Sequence, residues 1–238
     1  MKIRALLAAC AAATLGWATP SLATTITVTS AAFAPGSMWG GVTVTSPAYN
    51  GGLEAGRFAF SGFEVGAPAN LFNQYTYCID LFTGLYTSQN FTISALNAVV
   101  PTVDRQSRIA GLLVNSATLF AAATTDAQRN LIGAATQLSV WELIYEAAGV
   151  PLSVTSGNFS VFGNFVPDVS VVANSYLASN WTASPTVVSA LISVNQQSQN
   201  QVFLNAVPEP ATWLSMLFGF GIVGSALRRA KTRQVAIV

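Results

Sequence analysis

Histidine is absent from all 238 residues, which excludes a His-based triad, an imidazole general base and a His-containing zinc cluster. Charge is nearly as scarce, at 8% of residues against 52% hydrophobic, and nothing in its distribution would attract nucleic acid. Asp80, Asp104, Asp126 and Asp168 are dispersed, and none of them has the close spacing of a calcium loop. Neither a metal nor a cofactor is implied, and the chain does not read as an enzyme. Cysteine occurs only as Cys10 and Cys78.

The few charges that exist are unevenly placed. Lys2 and Arg4 precede an apolar stretch from Ala5 to Ala18, and Ser21-Leu22-Ala23 supplies a small-residue ending. This is the grammar of a cleavable signal peptide over 1–23, which would remove Cys10. No Leu-x-x-Cys box stands at the cleavage boundary near Ala23, so Cys10 is not read as a lipid attachment point. At the other end, Ala211 to Leu227 carries no charge. As a helix at 1.5 Å per residue it reaches about 25 Å, enough for a thin membrane. Arg228, Arg229, Lys231 and Arg233 follow it and predict a cytoplasmic tail, leaving the body outside. Between the two ends stand eight acidic and four basic residues, so the body itself is acidic.

Val207-Pro208-Glu209-Pro210, the Trp213 that follows, the apolar run and Arg228-Arg229 resemble the PEP-CTERM sorting signal over 207–233. The resemblance implies a Gram-negative bacterium, often one that produces exopolysaccharide, and an exosortase as processing partner. It further implies that Pro208, Glu209 and Pro210 are the recognised motif and Arg228 and Arg229 the basic stop. The chain then runs on through a short tail, 234–238, where such chains commonly end. The implied location is export across the inner membrane, a membrane anchor before processing, then the cell surface or medium.

The body, 24–206, is long enough for one hydrophobic core. Alternating stretches at Ile26–Ser30, Val42–Ser46 and Phe58–Val65, separated by Pro35-Gly36, Asn50-Gly51-Gly52 and Gly66-Ala67-Pro68, predict antiparallel strands with turns between them. Strands are also expected at Tyr75–Phe82, Phe91–Leu96, Leu191–Val194 and Gln201–Ala206. Helical spacing appears at Arg105–Asn115, and a third helix is expected over Asp168–Leu177. The clearest helix opens at Thr125 and Gln128, which have capping-box spacing. It carries the stripe Leu131, Ala134, Leu138, Trp141 and Tyr145 and closes at Gly149 and Pro151. Its Glu142 and Glu146 are read as i,i+4 neighbours on the wet side. The expected class is α+β: an antiparallel sandwich or barrel-like sheet with two to three inserted helices, flanked by a signal peptide and a C-terminal transmembrane helix.

Cys78 would be the mature chain's single cysteine. One reading makes it a small buried hydrophobe. Another comes from Tyr77-Cys78-Ile79-Asp80 on a strand and Gln137-Leu138-Ser139-Val140-Trp141 on a helix. These segments resemble the two half-motifs of thioester domains from bacterial surface adhesins. The resemblance implies that Cys78 is the sulfur donor and Gln137 the acyl donor of an internal thioester, with Val140 and Trp141 as the supporting apolar pair. Thr136 departs from the apolar residue the family has before its glutamine. Asp80 is the nearest candidate proton acceptor for the thiol and so a supporting residue, although its charge would also raise the thiol pKa. The implied partner is a nucleophile on another surface. If Cys78 is simply core, the body is instead a structural or exopolysaccharide-associated matrix protein.

Overall fold

The computed structural model describes residues 24–205. The segments read as signal peptide, sorting signal, transmembrane helix and tail lie outside them. Strand β1, Thr25–Val44, and strand β2, Tyr49–Glu64, form one long antiparallel hairpin. Strand β3, Ala67–Cys78, folds back on β2 through a turn at Gly66, whose φ of +86° suits glycine. Next come β4, Gln89–Ala95, and three helices: α1, Val103–Ala122, α2, Asp126–Tyr145, and, after strand β5, Phe159–Phe162, α3, Asp168–Ala178. Strands β6, Val188–Ser193, and β7, Gln201–Leu204, complete the chain.

Six strands close on themselves in the order β1-β2-β3-β7-β6-β4, because β1 pairs with β2 along one edge and with β4 along the other. The result is an antiparallel barrel with three helices, in keeping with the α+β expectation. Strand β5 adds to the far half of β1, pairing Phe159 with Val44. The barrel strands alternate as half-buried strands do. Ile26 and Val28 are buried while Thr27 between them is only partly so, and Phe60 of β2 meets Phe91 of β4 edge to face.

Three expectations about the hairpin are corrected. Pro35-Gly36 is not a turn: the chain passes straight through it, with a register shift against β2 between Phe33 and Ser37. A proline without an N–H interrupts the ladder there, and a bulge absorbs the interruption without reversing the strand. The reversal comes instead at Thr45–Ala48, so that the expected strand at Val42–Ser46 ends at Val44. Asn50-Gly51-Gly52 lies inside β2, opposite Thr43, Val42 and Gly41. A Cβ at Gly52 would collide with the Trp39 indole. Strand β3 stops at Cys78, four residues before its predicted end.

Helix α2 begins as its sequence predicts. Thr125 accepts from the Gln128 N–H while the Gln128 side chain accepts from the Thr125 N–H, which is the full capping box. Its placement was not foreseen. Every residue from Gly133 to Leu143 is buried, because α2 packs against the β1–β2 hairpin with α1 and α3 alongside it. The wet side assigned to Glu142 and Glu146 therefore does not exist. Glu142 is fully buried, and Glu146 is 2% exposed. Both carboxylates hold the chain that follows the helix. Glu142 Oε1 accepts from Ser153 N at 2.7 Å, and Glu146 accepts from Ala147 N and Asn158 N. Arg105 of α1 donates to the carbonyls of Ile144 and Glu146, closing the helix C-terminus.

Candidate functional site

Cys78 sits where β3 loses a neighbour. The β2–β3 ladder extends along β3 only as far as Phe58 opposite Thr76, whereas β7 still pairs with Cys78 through Gln201. On the side that β2 has left, the peptide groups of Cys78 need partners, since a buried backbone N–H or C=O without one is costly. Helix α2 supplies them. Cys78 N–H donates to Gln137 Oε1 at 2.8 Å, and Gln137 Nε2 donates to the Cys78 carbonyl at 2.7 Å. The carboxamide thus takes the position of a strand's peptide unit.

Two further residues of the same helical ridge continue this contact, at i+4 and i+8 from Gln137. Trp141 approaches the thiol, and Tyr145 bonds the chain just beyond it. The Tyr145 hydroxyl accepts from Leu81 N at 2.9 Å and donates to the Ile79 carbonyl at 3.3 Å. Gln137 itself is 1% exposed, so it is a core residue and not one at the border of the apolar stripe. Val140 is fully buried in the same core.

The thiol donates to the Asp80 carbonyl at 2.8 Å and accepts from Asp80 N at 3.3 Å. The carboxylate of Asp80 is turned instead to Phe82 N at 2.9 Å. Burial pushes the Cys78 thiol up to about 12, the backbone contact with Asp80 opposes that, the Asp80 charge adds to it, and the Trp141 side chain opposes it. At neutral pH the sulfur is therefore overwhelmingly the thiol, a poor nucleophile. A cavity of about 500 Å³ reaches the surface from Cys78 and Trp141, with Phe33, Trp39, Tyr49 and Phe82 among its walls.

Chemically, the arrangement points an N–H donor at Gln137 Oε1, the atom that would carry negative charge if the carboxamide carbon were attacked. Gln201 was not singled out in the sequence, yet it is fully buried directly across from Cys78. Its Oε1 accepts from Thr76 Oγ1 at 3.1 Å, and its Nε2 has no partner. A glutamine within a four-residue apolar strand is the signal that would have marked it. Among the described residues no group of three or more Cys, Asp or Glu could hold a metal ion, and no helix is long and apolar enough to cross a membrane. The stretch 211–227, the sorting residues Pro208, Glu209 and Pro210, and the stop residues Arg228 and Arg229 lie outside the described residues.

Comparison with known proteins reaches only the C-terminus. Residues 206–230 match the model of the PEP-CTERM protein-sorting motif. No curated protein and no solved structure matches the chain. The motif supports an exported protein whose C-terminal signal is recognised at the membrane by an exosortase.

Proposed function

We propose that the exported barrel is a covalent adhesion module of the cell surface, in which Cys78 and Gln137 close an internal thioester. The observation that carries this reading is the seating of the Gln137 carboxamide on Cys78, buried and held at both polar atoms. In the reaction the Cys78 sulfur adds to the Gln137 carboxamide carbon, the Cys78 N–H supports the developing oxyanion, and the carbon–nitrogen bond breaks. The nitrogen leaves as ammonia with the thiol proton, and no electron transfer is involved. A thiol at about pKa 12 with no imidazole nearby makes this a slow event that occurs once per molecule, not enzymatic turnover. The finished thioester would then acylate a nucleophile arriving through the aromatic-walled cavity. Presentation on the surface of a Gram-negative cell belongs to the same reading.

A second reading rests on the same two hydrogen bonds. They already satisfy the Cys78 backbone, which is sufficient reason for a buried glutamine in an unreactive matrix or exopolysaccharide-associated protein. Intact mass of freshly purified mature protein separates the two. The thioester reading expects a mass one ammonia below the sequence value, resistance of Cys78 to alkylation after unfolding, and methylamine restoring alkylation while labelling position 137. Cys78→Ala should remove the deficit. Full mass together with an unmodified Gln137 in peptide sequencing would establish the unreactive protein.

A further inference from the structure

Arg57, on β2, is a cation with no acid to answer it. Among the described residues the ion pair formed is Arg129 with Asp126, and no carboxylate comes within ion-pairing distance of Arg57. Its Nε is buried without a hydrogen-bond partner. The guanidinium carbon lies 3.7 Å from the centre of the Tyr75 ring and 3.4 Å from that of Phe120. One ring comes from β3 and the other from α1, so both faces of the planar group are covered and its edge remains free. Aromatic faces offset part of the desolvation of a cation. They do not supply the hydrogen-bond acceptors a guanidinium is built to engage.

Arg57 lines a cavity of about 130 Å³ whose walls also include Gln74, Tyr77, Leu113, Ser116 and Leu204. The cavity shares no residue with the one above Cys78, so nothing here depends on the thioester. We propose that this cavity binds an organic carboxylate, taken edge-on by Arg57 with its carbon body against Leu113, Ala117 and Leu204. A single guanidinium edge offers two parallel N–H groups, which match the two oxygens of one carboxylate. The apolar part of the lining suits a carbon skeleton and gives nothing to the remaining oxygens of a phosphate or sulfate. Gln74 and Tyr77, with the Ser116 hydroxyl that already donates to the Leu113 carbonyl at 3.1 Å, are polar groups of the lining available to meet substituents on that skeleton. Burial lowers the Arg57 pKa, Tyr77 and Tyr75 oppose that, and Arg129 lowers it again, so a bound anion would restore to the guanidinium part of what burial takes from it.

The test is a titration of the mature protein at constant ionic strength, followed through the Arg57 Nε–H resonance by nitrogen-15 NMR. Sodium benzoate is the first probe, sodium glucuronate the second, and sodium sulfate the control. Saturable movement of that resonance by either carboxylate, with sulfate producing none, is the expected result. Benzoate alone would indicate an apolar body, and glucuronate a sugar acid. Arg57→Met should weaken binding, read by calorimetry, by at least about tenfold. Ala117→Phe, an exposed position on α1, should fill the cavity and abolish binding while leaving the guanidinium in place, which keeps the test intact if the arginine variant fails to fold. No saturable movement with either carboxylate, an equal response to sulfate, or full binding by Ala117→Phe would overturn the site.

Discussion

At the scale of residues, the pair Cys78 and Gln137 was legible because both half-motifs are local, each read within five neighbouring positions. What the carboxamide does to the strand was not, since it depends on β2 parting from β3 two residues before Cys78. Gln201 and the Tyr145 hydroxyl escaped for the same reason: each matters through a partner distant in sequence, Thr76 in one case and Ile79 with Leu81 in the other. The strand-capping role makes a prediction that holds whether or not a thioester forms. Gln137→Ala leaves the N–H and C=O of Cys78 bare inside the core, and should cost about 2–4 kcal/mol of folding stability. Urea denaturation of the variant in a Cys78→Ala background measures that cost with the covalent bond removed. Loss of less than about 0.5 kcal/mol there would mean that the backbone finds other partners.

At the scale of elements, α2 was readable in type and start because capping chemistry and a 3.6-residue period are local signals. Its burial on all sides was not, because a sequence stripe identifies the face that is most apolar but says nothing of what covers the other. Glu142 is the consequence. One oxygen accepts from Ser153 N while Oε2 is buried without a partner. Burial pushes this carboxyl up to about 7, the Ser153 N–H opposes that, the Glu146 charge adds to it, and Arg105 opposes it. In the unfolded chain the same group titrates near its ordinary value of 4.5, so between these values the folded protein holds the extra proton. The resulting stabilisation is complete below about pH 4.5 and declines as pH rises to about 7, by no more than about 3 kcal/mol. Glu142→Gln should flatten that part of the curve. The check is the urea midpoint of both proteins from pH 4 to 8, and an unchanged slope in the variant would assign the dependence to another group.

At the scale of the whole molecule, the strands were mostly legible, and their closure only as one of two alternatives, a sandwich or a barrel-like sheet. The turn residues at Pro35 and Asn50 suggested breaks between short strands, where β1 and β2 run on through them. The barrel closes because Ile26, Thr27 and Val28 of β1 pair with β2 on one edge and with β4 on the other, a fact with no local signature. The ends of the chain are read from charge and hydropathy alone, and the C-terminal one is matched as a sorting motif over residues 206–230. An export-dependent reporter fused after Ala206 should be active outside the cytoplasmic membrane and silent within. Neutral replacements at Arg228, Arg229, Lys231 and Arg233 should release the protein or misorient it, as membrane fractionation and protease accessibility would record. Cytoplasmic activity of the reporter would refute the orientation. The pairing of β7 with β3 also has a mechanical meaning. The chain leaves the barrel just past Leu204, and Cys78 stands opposite Gln201 at the other end of the same short strand. Acylation would leave the partner bonded to the carbon of residue 137 on α2 and release the Cys78 thiol. Tension between that adduct and a surface-held C-terminus would therefore enter through α2 and cross its contact with the Cys78 backbone to reach β7. The bonds between β3 and β7 lie on that route, next to the point where the chain leaves the barrel.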